Sequence, residues 1–209
     1  MRVIIFGGHG FVGKNLSSYL QKKKIFVKLF GNKKYEIQKK NLIKYDKKNF
    51  RKILLKYKPD GIFFLSGNSY PLNSLNEKHD FKSSNLILQD LLQALVEVKY
   101  KNLFFFISST SIFGSLNKKN VNEEFEKKPE SFYSLSKVIA ESQIKFFSDN
   151  YDIKSIVLRA SSLYGEELKR QIIYKIIEST KLKKRINLLG YPNDARQFLY
   201  VGDLVLIIY

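Results

Sequence analysis

A chain of 209 residues, 44% hydrophobic and 27% charged, is long enough to bury a sizeable core and reads as globular rather than disordered. The absence of Cys removes disulfides, thiolate catalysis and Cys-ligated metal centres, and with His9 and His79 as the only histidines neither a metal site nor a Ser-His-Asp triad is expected. The net charge of +18 favours anionic small molecules, but Arg supplies only six of the 37 basic residues and the lysines come as scattered pairs such as Lys33-Lys34 and Lys118-Lys119, which describes a solvated basic surface better than a nucleic-acid reader.

Arg2–Phe6 is a β-branched run ended by Gly7-Gly8, and Phe11–Lys23 then carries apolar residues at helical spacing. The run at the N-terminus is too short for a signal-peptide core. Further strands are predicted at Ile25–Phe30, Gly61–Leu65, Leu103–Ile107, Ser155–Arg159 and Arg185–Leu188. Helices are predicted at Lys48–Tyr57, Asp80–Val98, Ser131–Asn150 and Leu168–Thr180. Several strands are apolar almost throughout, as when helices cover both faces of a parallel sheet. The alternation predicts a doubly wound, Rossmann-like parallel α/β fold. No apolar run approaches the ~20 residues of a membrane helix, so a cytoplasmic protein without a membrane partner is expected. Asp203–Tyr209 begins an apolar segment and stops, as if the architecture continued.

Between the first strand and the first helix lies Gly7-Gly8-His9-Gly10-Phe11-Val12-Gly13. In this position Gly7 permits a tight turn, Gly10 lets backbone approach a pyrophosphate, and Gly13 lets helix and strand pack closely. The helix beginning Phe11-Val12-Gly13 would turn free N–H groups and a positive dipole end towards the phosphates. A carboxylate about 20 residues beyond such glycines normally bonds the ribose hydroxyls of NAD. Here the second strand ends in Gly31-Asn32-Lys33-Lys34, with no carboxylate. Asn32 and Lys33 suit a 2′-phosphate, so NADP(H) is favoured over NAD(H). If those lysines are only exposed loop residues, Asp46 becomes the candidate for the adenine side.

Tyr133-Ser134-Leu135-Ser136-Lys137 sets Tyr133 and Lys137 one turn apart on one helix face. A free phenol, with pKa near 10, is a poor base at neutral pH. A neighbouring ammonium favours the phenolate and lowers that value. Upstream, Leu103–Ile107 runs into Ser108-Ser109-Thr110-Ser111, placing hydroxyls at the strand end where doubly wound folds bind ligands.

In that order, glycine loop, strand-end serines and Tyr-x-x-x-Lys, the chain resembles the extended short-chain dehydrogenase/reductases, specifically the NAD(P)-dependent nucleotide-sugar epimerase/dehydratase group. The resemblance extends through Leu65-Ser66-Gly67 beside the cofactor, Asn85 as the helix Asn that orders the site, Ser108–Gly114, Arg159–Gly165 and Arg196–Asp203. It implies Ser109, Tyr133 and Lys137 as catalytic residues. Taken with the residues read directly at the second and third strands, Asn32, Lys33 and Asp46, the expected cofactor site comprises Gly7, Gly10, Phe11, Val12, Gly13, Leu65, Ser66, Gly67, Asn85, Tyr133 and Lys137. The substrate side would be Ser109, Thr110, Tyr133, Ser162 and Arg196, with Arg196 on the diphosphate of a nucleotide sugar. The 4,6-dehydratases carry Asp-Glu where this chain has Thr110-Ser111. Dehydration is therefore disfavoured, leaving a 4-keto-reductase, slightly favoured, or a 4-epimerase. Ala160 and Ser162 replace the Pro and Asn usual on the substrate side. The resemblance further implies a Rossmann domain over residues 1–165, the start of an incomplete substrate lobe over 166–209, and a homodimer, as is frequent in the family. A non-catalytic dinucleotide-binding protein and a basic Rossmann-type RNA binder are the alternatives.

Overall fold

The computed structural model describes residues 1–31, 43–44, 49–67, 81–115, 121–169, 171–186 and 195–209, with 43, 44, 82 and 83 as backbone only. The chain divides into two compact units, Met1–Arg159 and Ala160–Tyr209. The first is built on a parallel sheet of order β3-β2-β1-β4-β5-β6, where β1 is Arg2–Phe6, β2 Phe26–Gly31, β3 Ile43–Lys44, β4 Gly61–Phe64, β5 Leu103–Ser109 and β6 Ser155–Ala160. Its helices are α1 (Phe11–Lys22), α2 (Phe50–Tyr57), α3 (Ile87–Glu97, preceded by a π-helical turn Lys82–Leu86) and α4 (Phe132–Tyr151). The strand order reverses direction outside β1, at the β1/β4 boundary, which is where doubly wound sheets open a ligand crevice above their carboxyl ends.

Strand composition explains why the sheet is closed on both sides. Val3, Ile4, Ile5 and Phe6 of β1 are all essentially inaccessible to water. On one face, Phe30 of β2, Phe6 of β1, Phe64 of β4 and Phe106 of β5 stand in register on four adjacent strands. All four rings are fully buried. Their centroids follow one another at 5.3, 6.2 and 6.3 Å, forming a continuous phenylalanine row. The opposite face is filled by Ile5, Phe63 and Phe105, with the last two rings 5.3 Å apart. Each fully buried aromatic or branched side chain contributes roughly 1.5–3 kcal/mol.

The helices cover these faces with apolar stripes at the spacing of one helix side: Leu16 and Leu20 on α1, Ile53 and Leu54 on α2, Leu88, Leu91, Leu92 and Leu95 on α3. α4 differs. Its buried stripe runs Lys137, Ala140, Glu141, Ile144, Phe147 and so places two ionisable side chains at core-facing positions.

At the other edge of the sheet, several helix ends use a left-handed residue to turn into the next strand. Lys24, Lys58, Lys99 and Asp152 all have positive φ, between 41° and 60°, where Gly is the usual choice. Lys24 and Lys99 are exposed, and among the described residues they donate through their backbone N–H groups, to the carbonyls of Gln21 and Val96. We expect Lys24→Gly and Lys99→Gly each to stabilise the protein by about 0.5–1 kcal/mol by relieving the Cβ strain. Urea unfolding at fixed ionic strength measures this, and a loss of stability would show that the lysine side chains do more than cap.

The second unit contains β7 (Ser162–Tyr164) paired in parallel with β8 (Phe198–Tyr200), and helices α5 (Ile172–Lys181) and α6 (Val201–Ile208). Its short strands were not anticipated, because three residues carry too little periodicity. The strand expected at Arg185–Leu188 is not there in its described part: 184–186 are irregular, and 187–188 lie outside the described residues. The apolar segment that begins at Asp203 lies in α6, which ends at Ile208.

Candidate active site

The glycine loop joins β1 to α1 through contacts that only glycine allows. Gly7 has φ +80°, and its N–H donates to the carbonyl of Phe30 at 2.9 Å. A Cβ there would lie 2.6–2.7 Å from the backbone of Leu65 and Ser66. A Cβ on Gly13 would lie 2.5–2.7 Å from the backbone of Gly7 and Gly8. Gly10 is different: it is exposed and would meet only the Gly7 carbonyl, at 3.2 Å. Gly10 caps α1 without a side chain, and the first turn closes through Lys14 N–H on the Gly10 carbonyl. The N–H groups of Phe11, Val12 and Gly13 thus have no intrahelical partner. This cradle, held open because no Cβ occupies it, fits the pyrophosphate of a dinucleotide.

Leu65, Ser66 and Gly67 follow β4, with Ser66 buried and Gly67 exposed at φ +136°. A Cβ on Gly67 would lie 2.6 Å from Ser84 Oγ, so the strand end is pressed against the π-helical turn. Within that turn Asn85 is fully buried, and neither amide atom has a hydrogen-bond partner among the described residues. Buried amides are rarely left so, and π-helical turns recur at functional sites. Asn32, Lys33 and Asp46 lie outside the described residues.

Ser131 begins α4 with a capping box, its hydroxyl accepting from Ser134 N–H at 3.1 Å while Ser134 Oγ receives Ser131 N–H at 3.0 Å. That fixes the helix N-cap two residues before Tyr133. Lys137 follows one turn later and is 6% exposed. Its Nζ donates to the Ile107 carbonyl at 2.9 Å and lies 4.7 Å from the Phe106 ring and 5.8 Å from the Tyr133 ring. Burial pushes the ammonium down from 10.5 to about 8, an effect that Glu141 partly opposes. Ser109, two residues beyond Ile107, has an extended backbone and a half-buried side chain. Its Oγ accepts from Ser111 Oγ at 2.9 Å and from Ser111 N–H at 3.2 Å. With its acceptor sites so used, the Ser109 hydroxyl is oriented to donate. Thr110 starts the short 3-10 helix Thr110–Phe113 and is exposed.

The fold therefore brings Tyr133 and Lys137 together on α4 and seats Lys137 on the strand that ends in Ser109. Ser162 opens β7 and Arg196 precedes β8 in the second unit; both are exposed. One group was missed by motif reading. Glu141, 5% exposed, takes a bidentate pair from Arg159, with Nε on Oε1 at 3.1 Å and Nη2 on Oε2 at 2.9 Å. Lys127 Nζ adds a third contact at 2.9 Å. The signal was available: Glu141 is four residues beyond Lys137, on the same helix face. No group of three or more metal-binding side chains occurs among the described residues, and no helix there is long and apolar enough to cross a membrane.

A family model described as NAD dependent epimerase/dehydratase family matches residues 3–209. Among curated relatives, the chain is 26% identical over 98% of its length to a dTDP-D-glucose 4,6-dehydratase of Dictyostelium discoideum, spanning 54% of that protein. It is 28% identical over its whole length to a GDP-6-deoxy-D-talose 4-dehydrogenase of Aggregatibacter actinomycetemcomitans, spanning 69% of that protein. In fold it is similar to the UDP-glucose 4-epimerase of Thermotoga maritima, solved with UDP-glucose, with a TM-score of 0.87 at 22% identity over 99% of this chain and 71% of the other. The Thermus thermophilus UDP-glucose 4-epimerase, solved with NAD, gives a TM-score of 0.82 at 22% identity, covering 99% of this chain and 72% of the other.

Proposed function

The chain belongs to the NAD dependent epimerase/dehydratase family, and from that premise we propose that it carries the dinucleotide-binding and acid–base machinery for oxidation–reduction at carbon 4 of a nucleotide-diphosphate sugar. The observation that carries this reading is the buried Lys137 ammonium lying 5.8 Å from the Tyr133 ring. Both side chains belong to the helix seated beside the Ser109 strand end. Position 4 is common to the 4-dehydrogenase, the 4,6-dehydratase and the 4-epimerase to which the chain is similar.

Gly7, Gly10 and Gly13 shape the loop that would hold a nicotinamide dinucleotide, with Phe11, Val12 and Gly13 N–H groups on its phosphates. Leu65, Ser66, Gly67 and Asn85 flank it along β4 and the π-helical turn. When bound, that group supplies the hydride exchange itself. Everything else falls to the chain. Tyr133 takes the proton from the sugar hydroxyl or returns it to the carbonyl oxygen. Ser109 donates a hydrogen bond to that same oxygen. Lys137, still mostly charged at neutral pH with a value of about 8, favours the Tyr133 phenolate. By the family resemblance alone, Arg196 is proposed for the substrate diphosphate and Ser162 and Thr110 for the sugar side. Residues 166–209 are read as the start of the substrate lobe.

Thr110 and Ser111 offer no carboxyl group for eliminating water, so a 4-keto-reductase or 4-epimerase is favoured over a 4,6-dehydratase. The lysines at 33 and 34, in place of a carboxylate, favour NADPH and hence the reductase. Fluorescence titration with NADPH and with NADH tests this. Tighter NADPH binding, reversed by replacing Lys33 and Lys34 with Glu, is the expected result. A preference for NADH overturns the reductase assignment in favour of the epimerase, and binding of neither removes the dinucleotide reading altogether.

A further inference from the structure

Glu130 stands three residues before Tyr133 and is exposed, yet both its carboxylate oxygens are engaged. The Ser115 N–H donates to Oε1 at 3.0 Å, and the Ser115 hydroxyl donates to Oε2 at 2.8 Å. The bond from the N–H, followed by that from the hydroxyl, holds the carboxyl below its ordinary range, so it is ionised and accepting at neutral pH. A second link runs beside this clasp: the Lys128 N–H donates to the Ile112 carbonyl at 2.9 Å. Gly114, at φ +68°, leaves room for so close an approach. A Cβ there would overlap the Lys128 carbonyl and lie 3.0 Å from Glu130 Oε1.

On one side of the clasp, Gly114 closes the 3-10 helix that starts at Thr110, immediately after Ser109. On the other, Glu130 adjoins Ser131, the N-cap of α4 and two residues from Tyr133. Ser109 and Tyr133 thus sit on two elements whose near ends are tied through residues 112–115 and 128–130. Lys137 makes a further tie, from one turn beyond Tyr133 to the Ile107 carbonyl at 2.9 Å. Tyr133 is therefore flanked by fixed points on both sides, and the clasp restrains the first turn of α4 where the Lys137 tie does not reach. A misplacement of about 1 Å between reacting groups costs on the order of 100-fold in rate. Exposed hydrogen bonds exchange readily for bonds to water and add little to global stability, so this clasp has more leverage on local geometry than on folding.

We propose that Glu130 is a positioning residue, its clasp on Ser115 setting the reach between the Ser109 hydroxyl and the Tyr133 phenol. This rests on reading those two groups as the acid–base machinery, but the clasp itself is measurable without substrate or dinucleotide.

The test compares Glu130→Ala and Glu130→Gln with the parent. Ala removes both contacts. Gln keeps both, accepting from the Ser115 N–H and donating to the Ser115 hydroxyl. Activity is read with UDP-glucose as the probe, as the rate at which NADP+ or NAD+ is reduced, and dinucleotide affinity is measured separately by fluorescence. In Glu130→Ala, kcat is expected to fall about tenfold while KM for UDP-glucose and the dinucleotide Kd stay within about threefold, and Glu130→Gln is expected to recover most of the loss. An unchanged kcat in Glu130→Ala overturns the proposal, and so does an equal loss in both variants. Amide hydrogen exchange gives the readout that needs no substrate. The Lys128 amide and the Leu135 amide, which donates to the Ser131 carbonyl in the first turn of α4, should exchange about tenfold faster in Glu130→Ala and at the parent's rate in Glu130→Gln. The Phe104 amide, bonded to the Lys154 carbonyl, is the control for general loosening. Unchanged exchange at Lys128 and Leu135, or equal acceleration at Phe104, overturns the proposal. A parent that reduces neither dinucleotide with UDP-glucose would count against the proposed reaction with that sugar, and the exchange rates would then decide the role of Glu130 by themselves.

Discussion

Gly7→Ala is expected to lower folding stability by about 3–4 kcal/mol, while Gly10→Ala leaves stability within about 1 kcal/mol and weakens dinucleotide binding at least tenfold. The two residues belong to one motif but fail for different reasons. At Gly7 the backbone sits at φ +80°, which costs an L-residue about 1–2 kcal/mol. The added Cβ also falls within 2.7 Å of the Leu65 carbonyl carbon and oxygen and the Ser66 nitrogen. Those atoms are main chain at the end of a fully buried strand, so relief requires moving β4 against β1 at a further 1–3 kcal/mol. Against a usual total of 5–15 kcal/mol, that is a large share. At Gly10 the nearest atom to a new Cβ is 3.2 Å away and the residue is exposed. On the proposed reading, the methyl group would instead stand where a pyrophosphate approaches. Urea denaturation and NADPH titration on the same two variants separate these outcomes. Equal stability losses in both would show that the loop is a packing device rather than a binding one.

Lys137→Met is expected to move activity and stability in opposite directions. Turnover of a nucleotide sugar should fall about 10²–10⁴-fold, as should that of Tyr133→Phe, since each removes part of one proton-transfer device. Stability at pH 7 should nevertheless rise by about 2 kcal/mol. Burial lowers the folded-state pKa of Lys137 from 10.5 to about 8. Between those values the unfolded chain binds a proton that the folded chain does not, so folding stability increases as pH climbs through that window. Below about pH 8 both states are charged and the whole desolvation penalty is present. Methionine removes that penalty, and losing the donor to the Ile107 carbonyl returns only about 1 kcal/mol of it. The advantage of the variant should therefore shrink between about pH 8 and 10.5. Thermal denaturation across that range measures it. A Lys137→Met protein that is less stable at pH 7 would show that the ammonium holds the fold together instead of being held by it.

β1, the glycine loop and α1 were legible to within a residue, because a β-branched run, fixed glycines and a helical stripe are all local signals. Tyr133 and Lys137 were legible for the same reason: four residues on a helix is one turn. The partnership of Glu141 with Arg159 was not, since 18 residues and a strand crossover separate them and nothing in either neighbourhood announces the other. Likewise, no pattern marks Asn85 as buried without partners. That depends on the π-helical turn, which widens the backbone just where Gly67 presses against Ser84. The paired strands β7 and β8 are too short to leave a period in the sequence, and their register is a tertiary outcome.

The phenylalanine row across β2, β1, β4 and β5 has a mechanical consequence. A ring can turn only if transient space opens beside it, and each of these rings is wedged between in-register neighbours in a close-packed interior. Rotation of any one then requires its neighbours to yield at the same moment, so ring flipping along the row is slow and correlated. One end of the row, Phe30, carries the carbonyl that anchors Gly7, and the other end, Phe106, lies against Lys137. The row acts as a stiff ruler, and the span from the glycine loop to the ammonium is held by interlocked aromatic rings where aliphatic side chains would rearrange one at a time.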